Sequence, residues 1–202
     1  HCLSSAASDV YKRQALQRAH GVLRLYIDGT QIDEQYGATA AITGVNDTIY
    51  IGADGQYLTT SFLNGYLSNV RITKDLARYP YEATPVTLTQ TNSGMKKVDE
   101  STPTATASNT ILLACHTSTP TTEGSSGGYT FTNYNSVAET TTDMPLGAPA
   151  GMTGLQFTAS SSMYLDNNNS EIPALSTGDW TIEYWVKPVS YTHLRAHETV
   201  SH

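Results

Sequence analysis

The chain reads as an all-β protein of antiparallel strands, and three observations carry that reading. Stretches with an apolar–polar period of two recur along it, short turn signals separate them, and no window holds the period of an amphipathic helix. The clearest stretch is 62–79, FLNGYLSNVRITKDLARY, in which Tyr66, Ser68, Val70 and Ile72 alternate with Leu67, Asn69, Arg71 and Thr73. Successive strand residues point to opposite faces, so the two sets are expected on opposite sides of one sheet. Asn64-Gly65 marks a turn before the stretch, and Asp75 and Pro80 punctuate its exit, where TKDLARY could close a single helical turn.

The elements before it follow the same grammar. Leu23, Leu25 and Ile27 alternate with Arg24, Tyr26 and Asp28 as in a half-buried strand. Asp28-Gly29 then predicts a hairpin whose two central residues take positive φ, with 30–32 returning. Residues 48–52 form a second strand that puts Ile49 and Ile51 on one face, closed by Asp54-Gly55. Residues 86–108 are rich in Thr, Ser and Pro and too poor in large apolar side chains to offset their ordering entropy, which makes them a linker.

Strand grammar resumes beyond the linker. ILLAC at 111–115 is a continuous apolar run, suited to a strand covered on both sides. Residues 155–158 and 163–165 flank the small-residue turn ASSS. In GDWTIEYWVKP, Trp180, Ile182, Tyr184 and Val186 define a core face, and Thr181, Glu183, Trp185 and Lys187 define the opposite face, a candidate binding face.

The two ends stand apart from this pattern. Residues 4–14, SSAASDVYKRQ, and 189–199, VSYTHLRAHET, resemble in-frame translations of the transposase adapters of sequencing libraries, so 1–14 and 189–202 are set aside as artefactual. The whole chain carries 11 Lys and Arg against 18 Asp and Glu, net −7; without Lys12, Arg13, Arg195, Asp9 and Glu198 the remainder has 8 against 16, net −8. Only His20 and His116 then remain of the histidines, and Cys115 stands without a disulfide partner. An acidic chain whose longest basic run is Lys96-Lys97 does not suit nucleic acid, and no apolar run has the ~20 residues that span a bilayer.

LRLYIDGTQID, IYIGAD, FLNGYLSNVRITKDLARY, GLQFTASSSMYLD and GDWTIEYWVKP resemble the recurrent strands of laminin-G-like, concanavalin A-like jelly-roll domains. In that family the pattern like GDWTIEYWVKP opens a domain, and the pattern like LYIDG followed by NGYLSNVRIT closes it. This chain has them in the reverse order. The resemblance therefore implies that 15–85 is the C-terminal half of one repeat and 109–188 the N-terminal half of the next. Together they are an incomplete antiparallel β-sandwich, able to dock as a circular permutant. NVRITKDLARY, the Thr-rich linker and NTILLACH are similar to tandem repeats of marine bacteriophage structural (tail) proteins.

The resemblance implies a non-catalytic carbohydrate-recognition or adhesion module, extracellular or on a virion surface, whose partners are glycans or cell-surface receptors and neighbouring repeats. The alternative is an accessory domain of a secreted carbohydrate-active enzyme, or a structural spacer. Hydrolase members of the family carry Glu-x-Asp-x-x-Glu on one strand face, a pattern missing here. The nearest pair, Asp179 and Glu183, would sit ~13 Å apart on a strand, beyond the ~5–9.5 Å that glycoside hydrolysis uses. No catalytic residue and no cofactor is expected. Asp28, Asp33, Asp47 and Asp54 could supply oxygen to a structural calcium ion, but turn chemistry explains them as well. Cys115 reads as a buried thiol, His116 as a lone imidazole, and Asn168-Asn169-Ser170 as a loop that matches a glycosylation pattern. The candidate ligand-binding residues are Trp185 and Glu183, with Tyr26 and Tyr66 wherever they share that face, because aromatic rings can stack on sugars.

Overall fold

A computed structural model describes residues 11–43, 48–55, 57–79, 108–125, 127–140, 153–167 and 173–189. Asp47, Asn168–Ser170, most of the Thr-rich linker and nearly all of both set-aside ends lie outside the described residues. Among the described residues the regular structure is extended. The strands are β1 (Lys12–Ala19), β2 (Val22–Ile27), β3 (Thr30–Gln35), β4 (Tyr50–Ile51), β5 (Gly65–Lys74), β6 (Thr110–Ala114), β7 (Thr132–Tyr134), β8 (Ala138–Thr140), β9 (Gly154–Phe157), β10 (Tyr164–Asp166) and β11 (Trp180–Pro188), with one 3₁₀ turn at Ala159–Ser161.

Eight of these strands form an antiparallel sheet in the order β3-β2-β1-β11-β5-β9-β8, with β6 pairing β5 beyond the end of β9. A second, three-stranded sheet, β4-β10-β7, packs on one face of it. The two sets of strands on either side of the linker therefore share one sheet. β11 lies between β1 and β5, with Lys12↔Val186 through Arg18↔Trp180 on one side and Trp180↔Lys74 through Pro188↔Gly65 on the other.

Turn chemistry fixes the first hairpins. Asp28 and Gly29 both take positive φ, as a two-residue turn with the twist of the flanking strands requires, and β3 returns from them. His20 and Gly21 do the same between β1 and β2, a hairpin hidden in the sequence because its first strand begins inside the segment set aside as adapter-like. Within that segment Lys12, Arg13 and Gln14 are β-strand residues paired with β11, and Gln14 pairs with β2 as well.

The strict alternation expected over 62–79 breaks at Asn69. Its φ is +52°, and the ladder to β11 steps from Arg71↔Glu183 to Ser68↔Trp185, so one extra β5 residue is accommodated there. Asn is among the few side chains that tolerate this backbone, and its N–H donates to the Cys115 carbonyl at 2.8 Å while Ser68 Oγ donates to the Thr153 carbonyl at 3.0 Å. The bulge reverses the phase. Leu67, Val70 and Ile72 face the small sheet, and Tyr66, Ser68, Arg71 and Thr73 face away from it.

The core between the sheets contains Leu67, Leu112, Leu155, Phe157, Leu165 and Ile51, all buried. The face of β11 that carries Trp180, Ile182, Tyr184 and Val186 turns towards it, as its alternation predicted. Residues 48–52 contribute only the two-residue β4, because Gly52 (φ +88°) turns the chain with its Cα against the Phe157 ring. TKDLARY makes no helical turn; Lys74 ends β5 and 75–79 run in irregular conformation across the far face of the large sheet.

Gly65 sits where β5 and β11 begin to pair, and a Cβ there would run into the Lys187 carbonyl and come within 2.9 Å of Pro188 Cα. Gly65→Ala is expected to destabilise the fold by about 2 kcal/mol through this overpacking. Urea unfolding should show a lower midpoint with an unchanged slope; an unchanged midpoint would mean that the two strands are free to separate there.

Candidate functional site

The face of β11 assigned to binding by its alternation is covered by the protein's own chain. Thr181, Glu183 and Trp185 are all buried; the segment 75–79 lies over Thr181 and Glu183, and Tyr11 and Leu113 pack on Trp185. Gln17 of β1 clasps that segment with its side-chain amide, which donates to the Tyr79 carbonyl and accepts from the Tyr79 N–H, both at 2.7 Å. Thr181 Oγ1 accepts from Arg78 N–H at 3.1 Å and donates to the Leu76 carbonyl at 3.2 Å. A polar pair on two neighbouring strands thus replaces the water that 75–79 would otherwise need for its backbone.

Each candidate residue has a definite place on this side of the sheet. Trp185 packs with Tyr11, Leu113 and Tyr66, and Lys187 Nζ lies 5.4 Å from the Tyr66 ring centroid. Tyr26 is buried against Ala15 and stacks on Tyr79 at 4.9 Å between centroids. Glu183 is fully buried and joins three arginines. Arg13 donates to Oε2 at 2.6 Å, Arg71 Nε to Oε1 at 2.8 Å, and Arg78 and the Tyr79 hydroxyl complete the set. So Trp185 meets Tyr66, and Glu183 and Tyr26 both meet Tyr79, all on one sheet face but none of them open to solvent as a group. The reason is that the bulge and the returning segment close a face that period-two reasoning leaves bare.

Burial by itself would raise the Glu183 pKa. The guanidinium groups of Arg13 and Arg78 and the hydrogen bonds from Tyr79 and Arg13 more than offset it, so the carboxyl titrates below its ordinary range. Because the folded value is depressed, the ionised group stabilises the fold above the ordinary glutamate value of about 4.3 and loses that contribution as pH falls through the lower folded value. Glu183→Gln is expected to cost about 3–5 kcal/mol at pH 7, since it strands buried guanidinium groups. Thermal unfolding of both forms should show the gap between them narrowing towards acid; a gap that stays constant with pH would dismiss the ionised network as its cause.

The other residues singled out in the sequence sit in local structural roles. Asp28 binds Lys12 Nζ and the Arg13 N–H, both at 2.9 Å, and Asp33 accepts from the N–H of Glu34. The Asp54 backbone carbonyl accepts from the Tyr57 N–H across the turn at Gly55. Asp179 accepts from the His20 N–H at 2.9 Å, at the end of the β1–β2 hairpin. No three His, Cys, Asp or Glu side chains among the described residues are grouped to hold a metal ion. Cys115, at the end of β6 with φ +56°, is fully buried, and burial pushes its thiol up to about 12. The native protein is therefore expected to leave Cys115 unlabelled by a thiol-specific disulfide reagent at pH 8 until it unfolds. Rapid labelling of the folded chain would contradict that burial.

The strongest exposed constellation is one that the sequence concealed. In the small sheet, Leu165 and Ile51 point into the core, so their neighbours Tyr164 and Tyr50 lie on the other face, where Asp166 is itself buried. The register sets Tyr134 beside Tyr164, and Tyr50 and Thr132 on either side of Asp166. Tyr134 and Tyr164 stack with centroids 4.5 Å apart and planes within 9°, Phe62 lies 6.2 Å from Tyr164, and Tyr50 5.9 Å from it. The Tyr134 hydroxyl is hydrogen-bonded to Asp166, whose negative charge is the chief reason its phenol titrates above the ordinary range. Desolvation first, and then the neighbouring phenols and the same carboxylate, raise Tyr164 too. Asn135 Nδ2 donates to the Ser162 carbonyl at 2.9 Å and ties the β7–β8 turn to the turn before β10. Strands of two and three residues are too short to show a period, and only their pairing brings TIYI, TNY and MYLD together.

Between β4 and the large sheet lies a groove of about 240 Å³ lined by aliphatic side chains, among them Ile49, Ile51, Val70, Ile72 and Ile182. It offers dispersion contacts and almost no hydrogen-bonding groups. No protein-family model, curated protein or solved structure matches this chain.

Proposed function

We propose that this chain is a non-catalytic carbohydrate-recognition or adhesion module of the laminin-G-like, concanavalin A-like kind, part of a multi-repeat tail or surface protein that acts outside the cell or on a virion. The observation that carries the proposal is the outward row of Tyr50, Phe62, Tyr164 and Tyr134 beside Asp166. Ring faces carry partial negative charge, which suits the polarised C–H groups on one side of a pyranose, and phenol and carboxylate oxygens suit its hydroxyls. Such a surface binds and holds; it contains no paired acid and base poised over a bond. On this reading the glycan site lies on the small sheet, and Trp185, Glu183, Tyr26 and Tyr66 serve the fold.

The insertion of β11 between β1 and β5 supports reading the chain as a circular permutant of a jelly roll, in which the opening strand of one repeat completes the closing strands of another. The spacer alternative draws its support from the complete burial of Glu183 and the near-complete burial of Trp185.

Binding of the full chain to a broad glycan array, followed by titration of any hit, tests the proposal. Tyr164→Ala is expected to weaken a glycan hit about fivefold or more, the loss of roughly 1 kcal/mol of ring contact, while the lost stacking on Tyr134 lowers the unfolding midpoint without unfolding the chain. A folded protein that is silent across the array, or a hit indifferent to Tyr164, would leave the spacer reading in possession.

A further inference from the structure

The ring row has a sign as well as a shape. The groups that act on the Tyr134 and Tyr164 phenols are the Asp166 carboxylate and other phenols, with no lysine or arginine among them. Asp166 is fixed beside the rings by strand register, opposite Tyr50 on one side and Thr132 on the other, and by its hydrogen bond with Tyr134. The whole chain carries net −7, so the background field has the same sign. A ligand lying along these rings meets a negative field, from the ring quadrupoles and from the Asp166 carboxylate buried beside them.

We infer that this face selects glycans that carry free amines, such as oligomers of unacetylated glucosamine or galactosamine, over their N-acetylated and uronic-acid counterparts. The inference rests on the proposed glycan-binding reading and adds the charge of the ligand to it. An ammonium within about 6 Å of a tyrosine centroid is attracted by the ring quadrupole, and Asp166 strengthens that attraction. Acetylation removes the charge while it keeps the pyranose faces that stack, and a uronate reverses the charge. The sugar ring supplies the stacking that a row of three tyrosines and a phenylalanine rewards, which an isolated lysine side chain does not.

The test titrates the full chain with three oligosaccharides of equal length: glucosamine oligomers, the same oligomers fully N-acetylated, and a glucuronate-containing oligomer. A lysine-rich peptide of matched charge is the fourth arm. The glucosamine oligomer is expected to bind about tenfold more tightly than its acetylated form, from cation–π attraction together with the carboxylate. The uronate should bind least. Asp166→Asn should bring the first two within about twofold of each other, chiefly by lowering the affinity of the amine form, and, without any substitution, added salt should erode the amine advantage alone.

Equal affinity for the amine and acetyl forms, or an advantage that survives both Asp166→Asn and high salt, overturns the selectivity and leaves glycan recognition standing. A peptide that binds as tightly as the amino sugar overturns it in favour of a general cation-binding surface. If none of the three oligosaccharides binds and a broad array is silent too, the glycan reading falls with it.

Discussion

One carboxylate organises the middle of this protein. Glu183 lies at the centre of β11, and its arginine partners arrive from β1, from β5 and from the segment that follows β5. A single acidic side chain thus joins three parts of the chain that are more than a hundred residues away from it in two cases and 170 in the third. Desolvating such a group is unfavourable unless charges and donors compensate it, and here guanidinium groups and a phenol do so together. A strand with an apolar residue at this position could pair with β1 and β5 in several registers. With Glu183, displacement by one residue would send the carboxylate to the aliphatic face and leave buried arginines opposite nothing. The network therefore specifies register more than it supplies bulk stability.

The bulge at Asn69 is the geometric counterpart of that electrostatic constraint. A regular β5 would put Tyr66 on the same side as Val70 and Ile72, and either the aromatic or the aliphatic pair would then face the wrong layer. One residue in left-handed conformation reverses the phase, so that Leu67, Val70 and Ile72 reach the core while Tyr66 and Arg71 reach Trp185 and Glu183 on the far side. The energetic consequence is cooperative. The aliphatic core and the ion network both require the same bulge, and the bulge is held by Cys115 and Thr153, which belong to the other set of strands.

How much of this could be read beforehand depended on whether a feature is local. Asp28-Gly29 announced its hairpin because the backbone requirement of the turn is met by two adjacent residues, and the alternation in β11 placed its aliphatic side towards the core. Continuous burial of β6 followed from ILLAC alone. The bulge was hidden because Asn69 in a strand looks like any polar residue on an exposed face. The cover over β11 was hidden because the clasp is made between Gln17 and Tyr79, which are unremarkable apart and complementary only when 62 residues of intervening chain bring them together. The tyrosine row suffered the same way. Tyr50, Tyr134 and Tyr164 lie in three separate stretches, each too short to show a period.

The layering decides which surfaces are left to meet another molecule. One face of the large sheet is covered by the small sheet and, at its centre, the opposite face by 75–79, so the aromatic residues there hold layers together. The edge strand β3 is exposed along its length, and it presents Gln31, Asp33, Glu34 and Gln35, polar groups that discourage the pairing an open edge otherwise invites. The outer face of the small sheet is different in kind. It combines rings with a buried carboxylate, while Leu165 and Ile51 supply the apolar contacts on the inner side of those strands. Rings stacked across strands on the outer side of a sheet contribute cross-strand contacts, but the aliphatic core lies on the other side of those strands. The rings lie on the side opposite to the buried Glu183 network, and that position is why the proposed recognition is placed there.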